Sequence, residues 1–255
     1  MKSKSNDLPI ALFDSGAGGI GVLREVKKLL PREQLLYFGD TKNAPYGEKT
    51  PTQIRALVLA AAERLIPHVK ALVLACNTAT AVAAAELRAR HPTTPIIGME
   101  PALRPALDVC DAPTVAVLAT EATLKAQKFD NLCEMYQKNA TVWRISAPRI
   151  VRLVEQGLAE SPEMEAYLHS LFDPLPRLPD AVVLGCTHFP FARNAIRRVV
   201  GSVPLFDGAA GTARELCRRL TENELLASDS ARGGVILHSS LPTSIPLLAR
   251  LFARA

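Results

Sequence analysis

An α/β fold built on parallel sheets is what this 255-residue sequence predicts, and three observations carry the prediction. Strand-like apolar runs alternate with helical patterns from end to end, the order that lays helices on a mainly parallel sheet. Two of those runs, Ala71-Leu-Val-Leu-Ala-Cys76-Asn77-Thr78 and Ala181-Val-Val-Leu-Gly-Cys186-Thr187-His188, end alike in a cysteine followed by polar residues, one in each of two comparable halves. Aromatics make up only 5% of the chain, against a core rich in Ala, Leu and Val that suits helices packed on a sheet.

The elements follow in order. Residues 9–13 form a strand, and 19–30 a helix with Val22, Val26, Leu29 and Leu30 on one face. A strand over 34–38 leads into a loop at 39–50 that contains Asn43, Pro45 and Gly47. Helix 51–66 begins with Pro51, and Thr50 is its expected N-cap. Strand 71–75 is apolar on both faces, as buried parallel strands are. Asn77 or Thr78 then caps a helix over 79–90. Strands at 95–98 and 114–118, a helix at 124–136 and a strand at 140–145 come next. Helices at 149–156 and 162–171 precede Pro174, Pro176 and Pro179, a stiff connector into strand 181–184. Helix 191–199, strand 203–206, helix 212–220, strand 234–237 and helix 243–252 complete the chain. The expected domains are 1–98 plus 207–255, and 99–206.

With 48% apolar and 22% charged residues, the chain reads as globular with a sizeable core. The net charge of +5 comes partly from Lys2 and Lys4 and from the pairs Arg197-Arg198 and Arg218-Arg219. The pairs stand between apolar residues at helical spacing, so they read as solvated faces and require no nucleic acid. A mild positive field would still favour an anionic substrate. Five scattered cysteines fit thiols in a reducing compartment. Residues 9–13 are too short for a signal h-region and Asp14 ends them, and no apolar run has membrane-spanning length. A cytoplasmic protein is expected, with no membrane partner.

Gly16-Ala-Gly18-Gly-Ile-Gly21 follows a strand, opens a helix and satisfies G-x-G-x-x-G, with Asp40 at the end of the next strand where a ribose-binding acid would stand. A nicotinamide- or flavin-dependent oxidoreductase is therefore one reading. Asp14 and Ser15 weigh against it, because they put a carboxylate beside the pyrophosphate position. Asp40 also leads into Asn43-Ala-Pro45-Tyr46-Gly47, which looks like a pocket lip. A third reading is that small residues simply let strand and helix approach.

The paired cysteines point elsewhere. The carboxyl end of a parallel strand opens on the crevice where α/β proteins bind ligands, so two facing halves would bring two thiols to one small molecule. Cys76 precedes a helix start, whose amides and dipole stabilise a thiolate. Cys110, Cys133 and Cys217 have no such setting. Cys186 and His188 could ligate a metal, but no CxxC or HxxxH accompanies them, and none is expected. A Cys-His hydrolase would leave Cys76 without a role. An ordinary thiol, with a pKa of about 8.5, is within reach of tuning by a neighbour, so one thiolate can instead remove a Cα proton on one face while a neutral thiol delivers one on the other, with no cofactor. Asp14 is placed to act beside Cys76, and His188 to assist Cys186.

Asp14-Ser-Gly-Ala-Gly-Gly19, Gly39-Asp40 with Pro45-Tyr46-Gly47, Ala75-Cys76-Asn77-Thr78-Ala79 and Gly185-Cys186-Thr187-His188-Phe189-Pro190 resemble the signature blocks of the glutamate racemases, in the aspartate/glutamate racemase family. Glu100-Pro101-Ala102 and Leu153-Val154-Glu155-Gln-Gly157 resemble two further blocks, so the resemblance spans essentially the whole chain. It implies two pseudo-symmetric α/β lobes with the active site in the cleft between them. It also implies cofactor-independent interconversion of L- and D-glutamate, supplying D-glutamate for peptidoglycan. The family's catalytic thiols match Cys76, usually assigned to D-glutamate, and Cys186, assigned to L-glutamate. Its assisting groups match Asp14, His188 and Glu155. Its substrate-contacting positions match Asp14, Ser15, Pro45, Tyr46, Gly47, Asn77, Thr78, Thr187 and His188. Racemisation of aspartate or another amino acid is the neighbouring alternative. Oligomeric state is not given by the sequence, and a homodimer stays open.

Two positions depart from the family pattern. Thr120-Glu121-Ala122-Thr123 stands where Thr-x-Gly-Thr is usual, which leaves that loop's role open, and Asn43 stands where many members carry arginine. Only a short tail precedes Pro9, so regulation by a cell-wall precursor through a longer extension is not expected.

Overall fold

The computed structural model describes residues 4–136 and 140–253; Lys2, counted above in the basic tail, lies outside them. In chain order the elements are β1 (Ile10–Asp14), α1 (Ile20–Leu29), β2 (Gln34–Gly39), α2 (Pro51–Leu65), β3 (Ala71–Leu74), α3 (Asn77–Arg90) and β4 (Ile96–Gly98). There follow α4 (Leu103–Leu107), β5 (Thr114–Ala119), α5 (Glu121–Leu124), α6 (Gln127–Tyr136), β6 (Thr141–Ser146), α7 (Pro148–Glu155) and α8 (Pro162–Phe172). The last are β7 (Ala181–Leu184), α9 (Arg193–Val200), β8 (Leu205–Asp207), α10 (Ala209–Glu222), β9 (Gly234–Ser239) and α11 (Ile245–Ala253).

The chain divides into two compact units, Met1–Met99 with Ala209–Ala255, and Glu100–Gly208. The first holds a five-stranded sheet in the order β4-β3-β1-β2-β9, the second a four-stranded sheet in the order β6-β5-β7-β8. Every pairing is parallel. This is the predicted α/β class. The central strands β1, β3, β5 and β7 are buried along their whole length, which is why their sequences read as unbroken apolar runs. In the second unit, β5 and β7 bury one face under α7, α8 and α9 through Ile150, Val154, Leu168 and Ile196. Their other face lies under α4 and α6 through Leu103, Phe129 and Cys133.

Local differences from the sequence reading have local causes. Asn77 and Thr78 are inside α3, and Cys76 itself is the N-cap, its extended backbone (φ −116°, ψ 123°) bringing Sγ within 3.5 Å of the Ala79 amide. The expected helix 124–136 starts later, at Gln127, because Leu124 closes the one-turn α5, which Thr120 caps through the Thr123 amide before the chain turns into α6. Leu124, Phe129 and Cys133 nevertheless share one apolar cluster, which makes the sequence pattern look continuous. Helix α4 was hidden by Pro105, which stands within its first turn, where proline is tolerated.

Candidate active site

Each sheet has one place where successive connections run in opposite directions. In the first sheet β2 lies on one side of β1 and β3 on the other; in the second, β6 and β7 flank β5 in the same way. Ligands in open α/β sheets bind outside the carboxyl ends of the strands at such switch points. The β1 and β3 ends carry Asp14, Ser15 and Cys76, and the β5 and β7 ends carry Thr120 and Cys186.

In the first unit, Ser15 Oγ lies 3.6 Å from Cys76 Sγ, and both residues are buried. The Ala79 N–H donates to the same sulfur, an arrangement that stabilises negative charge at the start of α3. Asp14 is fully buried, and its Oδ1 accepts from the Gly16 amide at 2.8 Å. That amide is therefore engaged by the chain's own carboxylate, where a dinucleotide-binding loop would offer it to pyrophosphate. Tyr37 pins the same loop, donating from Oη to Gly16 O at 2.7 Å. Gly19 allows the close packing behind it: a Cβ there would stand 2.8 Å from Asp14 Cβ and 3.0 Å from Ala75 Cβ. At Gly21 a Cβ would meet nothing within 4 Å, so the last glycine of the motif serves no close approach.

The loop after β2 folds onto this end through Asp40. Its amide donates to Asp14 O at 2.8 Å, and its carboxylate accepts from Tyr46 Oη at 2.6 Å and from Asn43 Nδ2 at 3.0 Å to each oxygen. Burial, that hydrogen bond and the negative charge at Asp40, Cys76 and Asp14 push the Tyr46 phenol far above its ordinary pKa, so it stays a donor. Pro45 caps the short turn Tyr46–Glu48, which leaves Gly47 half-buried. Asn77 and Thr78 are each 4% exposed, and neither polar atom of the Asn77 amide has a hydrogen-bond partner among the described residues. Buried amides are rarely left so in native proteins unless a ligand or water completes them.

In the second unit, Cys186 Sγ lies 3.8 Å from His188 Nδ1, and His188 Nε2 lies 2.7 Å from Glu155 Oε1. Glu155 ends α7, where Leu158 N bonds Leu153 O and Gly157 N bonds Val154 O. Gly157, at φ +78°, supplies the left-handed residue this helix stop requires. Burial opposes a charge on His188, yet hydrogen bonds to Cys186 and Glu155 and their negative charges outweigh it, holding the imidazole well above its ordinary pKa. Thr187 is buried beside this chain of groups. Gly185 is needed here as well, since a Cβ would stand 2.9 Å from Leu118 O.

The sequence-predicted residues thus fall into two sets. Asp14, Ser15, Pro45, Tyr46, Gly47, Cys76, Asn77 and Thr78 gather at one end of the first sheet, and Cys186, Thr187, His188 and Glu155 at one end of the second. Three contributors had escaped the sequence reading in these roles: Tyr37, Asp40 as the partner of Tyr46, and the mutually bonded hydroxyls of Thr120 and Thr123 at 3.0 Å. Only the Thr-x-x-Thr spacing at the end of a strand hinted at the last pair. Glu121 in that loop pairs with Lys125 at 2.5 Å.

Residues 20–216 match the family described as Asp/Glu/Hydantoin racemase. The chain is 43% identical over 244 residues to a glutamate racemase of Clostridium perfringens, covering 94% of each chain. It is also similar to the structure of a glutamate racemase from Thermus thermophilus in complex with β-chloro-D-alanine, at 35% identity and a TM-score of 0.82 over 98% of this chain and 95% of that one. The structure of the Francisella tularensis glutamate racemase in complex with D-glutamate aligns at 26% identity and a TM-score of 0.85, again over 98% and 95%. With most of its length matched in sequence and fold, and a cysteine at the switch point of each sheet, this chain belongs to the Asp/Glu/Hydantoin racemase family of isomerases.

Proposed function

We propose that this protein interconverts L- and D-glutamate without a cofactor, using Cys76 and Cys186 as the two proton-transfer groups on opposite faces of the substrate. The observation that carries this reading is the repetition: each sheet ends its switch-point strand in a buried thiol with its own polar support. In the reaction, one thiolate removes the Cα proton and the other thiol protonates the opposite face of the resulting carbanion. Cys76 acts on D-glutamate with Asp14 beside it, and Cys186 acts on L-glutamate with His188 and Glu155 behind it.

Charge development at the α-carboxylate calls for preorganised donors. The unsatisfied Asn77 amide, with Thr78, Ser15 and Thr187, supports that role, and a helix start such as that of α3 attracts carboxylates. The Gly47 amide, held in place by the Asp40–Tyr46 bond, is a further donor. Asp14 provides the acceptor that an ammonium needs. The product suits supply of D-glutamate for peptidoglycan in the cytoplasm. Aspartate is the second reading, since the donor set fits any amino acid with two carboxylates. The Gly16–Gly21 loop does not favour a nicotinamide reaction, because Asp14 takes the Gly16 amide.

Circular dichroism at one wavelength, with L-glutamate, L-aspartate and L-alanine and no added nucleotide, tests the proposal. Glutamate should lose optical activity fastest. Faster loss with aspartate would transfer the assignment to it, and no loss with any of the three would end the racemase reading.

A further inference from the structure

Thr80 lies one turn into α3 behind Cys76, 2% exposed, and donates its amide to Cys76 O at 2.9 Å. Threonine inside a helix ordinarily turns its hydroxyl back to the carbonyl three or four residues earlier. Here the hydroxyl leaves the helix. It donates to Leu74 O at 3.1 Å, the last residue of β3, and accepts from the Met99 amide at 3.1 Å. Met99 N also reaches Leu74 O at 3.1 Å. Met99 is the last residue of the first unit before the chain passes into the second. Gly98 makes this junction possible, since a Cβ there would stand 2.5 Å from Thr80 Cγ2. One side chain therefore joins the strand end before Cys76, the helix turn after it and the segment by which the chain departs.

We propose that Thr80 is a positioning residue for Cys76: its hydroxyl fixes the strand-to-helix turn that carries the thiol against the departing segment at Gly98–Met99. The inference rests on the reading of Cys76 as a proton-transfer group. The second unit repeats the logic with different chemistry. Arg193, which opens α9 just after the Cys186 loop, donates to Leu205 O at 3.1 Å and pairs with Asp207, one residue before the chain leaves that unit. In both units the helix that follows the thiol loop thereby holds the crossover.

The hydroxyl can be removed without leaving a buried orphan, because Leu74 O and Met99 N keep each other. Thr80→Val therefore tests position rather than folding, and Thr80→Ser restores the hydroxyl. With L- and D-glutamate, Thr80→Val should lower kcat about tenfold while KM stays within about twofold, as expected for a misplaced reacting group. Thr80→Ser should remain near wild type. In parallel, iodoacetamide labelling followed by peptide mass mapping should show the Cys76 rate changed about threefold or more in Thr80→Val, with the Cys186 rate unchanged. Equal changes at both thiols, a Thr80→Ser variant as impaired as Thr80→Val, or wild-type kcat and labelling in Thr80→Val would each overturn the proposal. If Thr80→Val does not fold, Thr80→Ala, which adds no bulk, is measured in its place; its failure to fold would make Thr80 a folding residue and overturn the proposal too. If the wild-type protein racemises nothing, the reading of the site fails, and the labelling contrast still decides whether Thr80 positions the thiol.

Discussion

His188 sets the character of the second thiol's surroundings. Its raised pKa favours the protonated ring, which can donate from Nδ1 toward Cys186 and from Nε2 to Glu155. A protonated imidazole beside the sulfur suits a group that alternates between thiolate and thiol. Glu155 keeps that charge in a site where burial opposes it, so Glu155→Gln should bring the His188 pKa down. The pH dependence has a definite sign. A folded pKa above the unfolded value of about 6.5 gives stabilisation that is complete below that pH and declines as pH rises through the folded pKa. In urea unfolding, the advantage of wild type over Glu155→Gln should be level while His188 is protonated in both folded proteins, then shrink by up to ~1.4 kcal/mol per pH unit as pH rises above the variant's lower folded pKa. A difference that stays constant to pH 9 would show that Glu155 does not govern this proton.

The strand-to-helix turns make the glycine-rich loop a packing device, and two substitutions in one motif separate that from a nucleotide fingerprint. Gly19→Ala would drive a Cβ to 2.8 Å from Asp14 Cβ and 3.0 Å from Ala75 Cβ, and overpacking of this kind costs about 1–3 kcal/mol. Gly21→Ala meets nothing within 4 Å and lies in α1, where alanine gains about 0.5–1 kcal/mol over glycine. Urea unfolding of the two variants should therefore show opposite signs, with racemisation lost only in the first. Destabilisation of similar size in both would refute the packing account. The strands themselves were legible because burial on both faces leaves an uninterrupted apolar run, and the strand-end cysteines stood out by repetition. The capping role of Cys76, the Asp40–Tyr46 bond and the grip of Thr80 on Met99 were not legible. Each pairs groups brought together only by the turn or the sheet, and nothing in local spacing marks them. Helix α4 was missed for the opposite reason, a local signal at Pro105 that normally breaks helices.

At the far end of the first sheet from the site, the stretch Met1–Met99 holds a buried ion pair whose neighbouring hydrogen bonds reach the stretch Ala209–Ala255. Lys70 Nζ and Glu33 Oε2 lie 2.6 Å apart with side chains 0% and 3% exposed. Lys70 also donates to Asn6 O, Glu33 accepts from the Ala227 amide, and Asn6 Nδ2 donates to Glu224 O. Removing one partner of a buried pair leaves an uncompensated charge, so Lys70→Met should lose about 3–5 kcal/mol, and Lys70→Met with Glu33→Leu should recover most of it. No recovery in the double variant would mean that the pair contributes more than mutual neutralisation. The proposed reaction needs two thiols acting on one substrate, and racemisation in deuterium oxide tests that most directly. Starting from either enantiomer, the earliest product should carry deuterium at Cα while the remaining substrate keeps its protium, and Cys76→Ser or Cys186→Ser should abolish turnover. Protium carried into the product, equal early labelling of both enantiomers, or racemisation that survives loss of either thiol would contradict it.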